Sequence, residues 1–134
     1  MKDSRLTFDA GILSLYYAGD QRVKDYFDDV SSKRKTGFLS EVNLAEFYHK
    51  TAERYGLQTA EIRYMLVRRS QIVIVPPDES ITRGAAVLKL AYKNKLSLAD
   101  CFAISTAKVN ASSLITTDSR IKEIREVKVV YIEV

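Results

Sequence analysis

Short apolar runs rich in β-branched residues alternate with longer stretches of helical period along this chain, and that alternation limits the fold more than any other feature. Residues 5–8 (Arg-Leu-Thr-Phe) read as a strand that stops at Asp9. Leu13, Tyr16 and Tyr17 then recur at helical spacing, and Val23, Tyr26, Phe27 and Val30 continue it in a second helical stretch. A polar turn over 33–36 leads to a small strand around Gly37-Phe38-Leu39. Ser40 is placed to cap a helix reaching about Arg54, Gly56 ends it, and another helix is predicted over 58–69. Ile72-Val73-Ile74-Val75 is unbroken and β-branched, as expected of a strand covered on both faces, and Pro76-Pro77 closes it. Helices follow at about 79–94 and from Ser97 to about Asn110. Leu114-Ile115-Thr116-Thr117 is a fourth strand ending at Asp118, a short helix is predicted over 119–126, and a last strand over 129–134. Such an order predicts one doubly wound α/β domain over 1–134, with a mostly parallel sheet of about five strands and helices on both faces.

Composition narrows the function classes. With 134 residues, 46% of them hydrophobic, and only 5 Gly and 2 Pro, the chain has material for one core and short connections. A single cysteine, Cys101, excludes an intrachain disulfide scaffold. The first five residues lack the apolar core of a signal peptide, and the densest apolar run is too short to span a bilayer. The expectation is a cytoplasmic protein with no membrane association. A net charge of +4 is weak evidence for a polyanionic partner. Its distribution says more: basic residues gather at Lys33-Arg34-Lys35, at Arg63, Arg68 and Arg69, and at Lys89, Lys93 and Lys95. Solvated helix faces and turn edges account for many such clusters.

Open α/β sheets place their sites beyond the carboxyl ends of the strands. Asp9 and Asp118 follow the first and fourth strands, Asp100 lies in the first turn of the helix from Ser97, and Glu46 sits mid-helix among apolar neighbours. Each has an ordinary explanation. Asp9 and Asp118 are suited to capping helices, and Ser97-Leu98-Ala99-Asp100 has the form of a capping box. Jointly the four are harder to dismiss, because crowded carboxylates repel unless protons or cations neutralise them. Oxygen ligands without histidine or cysteine favour Mg2+ or Mn2+ over zinc. His49, the one histidine, reads as a surface residue. On this reading, replacing Asp118 by Asn would relieve repulsion and leave the metal-free protein as stable or more stable.

At these residues the sequence resembles the PIN-domain family, most of all the toxin ribonucleases of VapBC toxin–antitoxin pairs. The resemblance runs in order through Leu6-Thr7-Phe8-Asp9, Ser40-Glu41-Val42-Asn43-Leu44-Ala45-Glu46, Leu96-Ser97-Leu98-Ala99-Asp100 and Leu114-Ile115-Thr116-Thr117-Asp118. It implies a single PIN-like (Rossmann-like) domain, a site for one or two Mg2+ or Mn2+ ions, and hydrolysis of RNA phosphodiester bonds. Asp9, Glu46, Asp100 and Asp118 would be its catalytic and metal-holding acids. Thr116 would stand near the metal, with Ser40 and Asn43 as outer supporting residues. The implied partners are single-stranded regions of RNA, a second copy of the chain and an antitoxin protein. Ala10 departs from the pattern, since many relatives carry Ser or Thr directly after the first Asp. A non-catalytic RNA-binding module on the same fold is the alternative. A Mg-dependent phosphoryl-transfer domain of receiver or haloacid type fits less well, because Asp9 stands alone and no lysine precedes a turn at the right place.

Overall fold

The computed structural model describes residues 4–134; the first three residues of the predicted 1–134 span lie outside it. β1 (Arg5–Phe8), β2 (Thr36–Ser40), β3 (Val73–Val75), β4 (Ser113–Thr116) and β5 (Val129–Tyr131) form one sheet in the order β3-β2-β1-β4-β5. Each neighbouring pair is parallel, so the expected mostly parallel sheet is parallel throughout. The helices are α1 (Ala10–Tyr17), α2 (Gln21–Ser31), α3 (Glu41–Tyr55), α4 (Leu57–Arg68), α5 (Glu79–Ala91) and α6 (Leu98–Val109).

Local chemistry sets the boundaries. Asp9, Asp20, Ser40, Asp78 and Ser97 each cap a following helix by accepting a backbone N–H. Gly56 joins α3 to α4 at a φ of +96°, a conformation that favours glycine. Side-chain alternation along the strands divides the core between the two faces of the sheet. Leu114 packs with Leu88, Cys101 and Ile104, on the side of α5 and α6. Its neighbour Ile115 packs with Ile12, Phe27 and Phe47, on the side of α1, α2 and α3. Phe8 and Phe47 are fully buried, and each stabilises the fold by about 1.5–3 kcal/mol through burial alone.

Four sequence expectations need correction. The helix over 119–126 does not form: Ile121 and Ile124 close successive four-residue turns instead, donating to the carbonyls of Asp118 and Ile121 at 3.0 Å. Both isoleucines are buried, and this spacing anchors a turn segment as well as it would a helix. β3 is an edge strand rather than one covered on both faces, and Val73 is 44% exposed. The doubly covered strand is β4, buried along its length. The last strand stops at Tyr131, and α5 ends at Ala91, short of 94. Among the apolar residues of the first two helices, Tyr16 stacks on Phe27 at 4.1 Å and Tyr16 and Tyr17 pack against the core.

Candidate active site

Chain order reverses at the centre of the sheet. β1 leads outward through β2 to β3, and the chain then crosses back to lay β4 on the other side of β1. Loops therefore diverge above the carboxyl ends of β1 and β4, which makes the crevice where α/β sheets bind ligands. Asp9 stands at the end of β1. Phe8 is in register with Leu39 and Ile115, so the next step of the ladder sets Asp9 between Ser40 and Thr116.

Asp9 is only 8% exposed. Its Oδ1 accepts the Ile12 N–H at 3.0 Å, and its Oδ2 accepts the Thr116 hydroxyl at 2.5 Å. The capping explanation is thus realised, and it does not exhaust the residue. Burial pushes the Asp9 carboxyl up to about 6 against the two hydrogen bonds, and the charges of Asp100 and Glu46 push the same way. The Thr116 hydroxyl also accepts the Asp118 N–H at 3.0 Å, tying the ends of both central strands together.

Asp100 completes a full capping box with Ser97, its Oδ2 accepting the Ser97 N–H at 3.0 Å while its own N–H donates to Ser97 Oγ at 3.1 Å. Burial raises the Asp100 carboxyl, Ser97 draws it back, and the charge of Asp118 raises it further. Asp118 lies two residues past β4 and starts no helix. Burial pushes it up too, but the hydrogen bonds from Arg120 outweigh that and hold it below the usual carboxylate range. Glu46 is partly exposed and pairs with Lys50 one turn on, at 3.4 Å. Its tie to the site is electrostatic, through Asp9.

Charge links the four acids in sequence: Glu46 and Asp100 act on Asp9, and Asp118 acts on Asp100. Among the described residues, no three acidic, histidine or cysteine side chains converge into a ready-made ligand set. Ser40 is buried and caps α3 through the Val42 N–H at 3.2 Å. Asn43, also buried, donates from Nδ2 to the Ala99 carbonyl at 3.1 Å. That bond holds the helix of Glu46 against the one that carries Asp100, and Asn43 Oδ1 has no partner among the described residues.

Two residues escaped the sequence reading. Arg120 lies against Asp118 through Nε at 3.0 Å and Nη2 at 2.8 Å, with Nη2 3.6 Å from Asp100. Gly11 is the other. A Cβ there would stand 2.3 Å from Thr117 Oγ1 and 3.5 Å from Asp9 Oδ1, so the α1 start and the β4 exit meet through its missing side chain. His49 is on the surface, 3.8 Å from Glu53. Several of the basic residues are already engaged: Arg34 pairs with Asp29, Arg68 with Glu41, and Lys89 donates to the carbonyls of Lys93 and Leu96. Arg63 lies over the rings of both Tyr17 and Tyr55, at 5.7 and 4.9 Å.

A parallel sheet with acidic side chains above its switch point defines a class of α/β protein that meets charged ligands beyond its strand ends. Within that class the chain belongs to the PIN-domain family, whose model matches residues 6–127. A comparison with curated proteins gives no match. Solved structures resemble it across nearly its whole length. VapBC2 from Rickettsia felis, bound to a promoter DNA fragment, has a TM-score of 0.78 at 14% identity, over 96% of this chain and 99% of that one. A toxin–antitoxin complex from Klebsiella pneumoniae has a TM-score of 0.71 at 20% identity, over 96% and 99%. Mycobacterium tuberculosis VapC20, described as a sarcin-ricin loop cleaving toxin, has a TM-score of 0.69 at 15% identity, over 91% and 98%. At such identities the likeness is one of fold. Among the described residues, no helix is long and apolar enough to cross a membrane.

Proposed function

We propose that the chain is a divalent-metal-dependent endoribonuclease that cuts single-stranded regions of RNA in the cytoplasm, as the toxin of a toxin–antitoxin pair. The observation that carries this reading is Asp9: a carboxylate buried on the central strand, within the field of two further acids, with a pKa held up to about 6. A group kept at that cost to stability points to use. The solved relatives named above support the toxin assignment, since one is a toxin–antitoxin complex by name and another a sarcin-ricin loop cleaving toxin.

The donor set fits a hard cation. Asp9, Asp100 and Asp118 offer carboxylate oxygens, and Cys101, the nearest sulfur in sequence, is buried in the core cluster of α5 and α6. Asp9, Asp100 and Asp118 are the residues to hold Mg2+ or Mn2+, with Glu46 at the edge. A bound dication would supply positive charge at the scissile phosphate and make a water easier to ionise. The chain's own contributions are positional. Thr116 fixes the Asp9 carboxylate from one side and the Ile12 N–H from the other, and Asn43 sets the spacing between α3 and α6. Without a cation, burial makes the Asp9 and Asp100 carboxyls bind protons more readily than ordinary aspartates do. The acids alone would repel backbone phosphates, so cationic side chains have to bring the RNA in.

Cleavage of single-stranded RNA is expected to require Mn2+ or Mg2+ and to stop in EDTA. Equal cleavage in chelator sinks the mechanism, and RNA binding without cleavage in any metal gives the non-catalytic module instead. We also assign the exposed apolar side chains of α4 to contact with a second copy: Ile62 is 57%, Met65 37% and Leu66 53% exposed. Sedimentation at tens of micromolar is expected to show a dimer, and a single monomeric species overturns that assignment.

A further inference from the structure

Arg120 closes off Asp118. Asp118 Oδ1 accepts both the Arg120 backbone N–H at 2.9 Å and its Nε at 3.0 Å, and Oδ2 accepts Nη2 at 2.8 Å. Both oxygens are thus taken by one residue in a side-on fork. The same Nη2 stands 3.6 Å from Asp100 Oδ2, so a single guanidinium bridges two acids that a bridging metal would bind. A dication on either Asp118 oxygen would meet that guanidinium at contact distance, and the two positive charges repel. The guanidinium is also the mobile member. The Arg120 side chain is 57% exposed, against 19% for Asp118 and 13% for Asp100. It lies in the turn segment between β4 and β5.

We propose that Arg120 is a tethered cation that competes with divalent metal for the Asp100–Asp118 pair and so sets the metal affinity of the site; this rests on the metal-dependent reading above. The residue is a positioning group for the acids. It keeps the pair together and neutralised in the metal-free protein, and it yields its place as metal concentration rises. Mn2+ or Mg2+ would bind only as tightly as it outbids the guanidinium, so the wild-type site fills at higher metal than its acids alone dictate.

The test is calorimetric titration of Mn2+ into the full chain as wild type, Arg120→Gln and Arg120→Lys, with melting of each in EDTA. Arg120→Gln is expected to bind Mn2+ about two- to fivefold more tightly, the upper part of the range implied by the loss of one partly exposed ion pair. It is also expected to melt lower than wild type in EDTA, with the difference shrinking in saturating Mn2+. Arg120→Lys keeps the charge without the fork, and its affinity falls between the two. Arg120→Gln affinity equal to or weaker than wild type, with wild type binding, overturns the inference and leaves the metal reading intact. No Mn2+ binding by any of the three at millimolar concentration overturns both. If Arg120→Gln is unfolded, Arg120→Lys decides between the same outcomes, because lysine affinity at or below wild type contradicts competition by the fork.

Discussion

Asp9→Asn is expected to abolish RNA cleavage and, in EDTA near neutral pH, to make the protein more stable than wild type. Asn keeps the shape and can still accept the Ile12 N–H, so the α1 cap survives. What it removes is a buried charge. Asp9 has a folded pKa of about 6 against an ordinary 3.8, so the folded protein holds this proton more tightly than the unfolded chain does. The contribution is therefore fully present below the lower value and lost as pH rises through the higher one. Above it, ionised Asp9 costs on the order of 3 kcal/mol at 1.36 kcal/mol per pH unit. Asp9→Asn escapes that penalty, and a rise of roughly 5–10 °C in melting temperature at about pH 7.5 is the scale to look for. Near pH 5 the wild type recovers much of the difference. Metal does the same by another route: in Mn2+ the wild type gains and the variant does not. A variant that keeps full activity, or melts lower than wild type at neutral pH in EDTA, refutes the role given to Asp9.

The second large effect is expected at Gly11. A β-carbon at this position would overlap Thr117 Oγ1, which is the short arm of a β-branched side chain and has little room to give. Either Thr117 rotates or α1 shifts away from the β4 exit, and both displace Asp118 relative to Asp9. Gly11→Ala should cost about 1–3 kcal/mol, the usual range for overpacking, and reduce cleavage well beyond what that loss of stability explains. Thr117→Ala removes the hydroxyl and leaves a Cβ at 3.5 Å, an ordinary contact. The double variant Gly11→Ala, Thr117→Ala is thus expected to recover most of the stability and part of the activity. Additive losses in the double variant would show that the two residues do not meet in this way.

Much of the fold was legible because its elements announce themselves locally. The strand runs, the caps at Asp9, Ser40 and Ser97 and the breaks at Gly56 and Pro76-Pro77 all depend on neighbours in sequence. The misreadings have one origin. Ile121 and Ile124 carry helical spacing without a helix, and Ile72–Val75 carries the composition of a central strand while lying at an edge; in both, tertiary position decided what local pattern left open. For the site, order and spacing singled out the acids and Thr116 but not their arrangement. Asp118 looked like a source of repulsion to be relieved by Asn. With Arg120 against it, that relief belongs to Asp9. Neither Arg120 nor Gly11 carried a signal, since the one matters through a turn only two residues long and the other through a contact with the far end of the chain.

The central position of β1 also governs when the site can come into being. The Thr116 hydroxyl that fixes Asp9 lies 107 residues downstream, and β1 cannot complete its pairing until β4 has been made. A chain emerging from the ribosome therefore carries Asp9 from the start of synthesis without the partner that orients it. Asp100 and Asp118 follow only in the final third of the chain. On the proposed reading, a nuclease assembled in this order stays harmless to the transcript and ribosome that produce it until nearly all of it has been released.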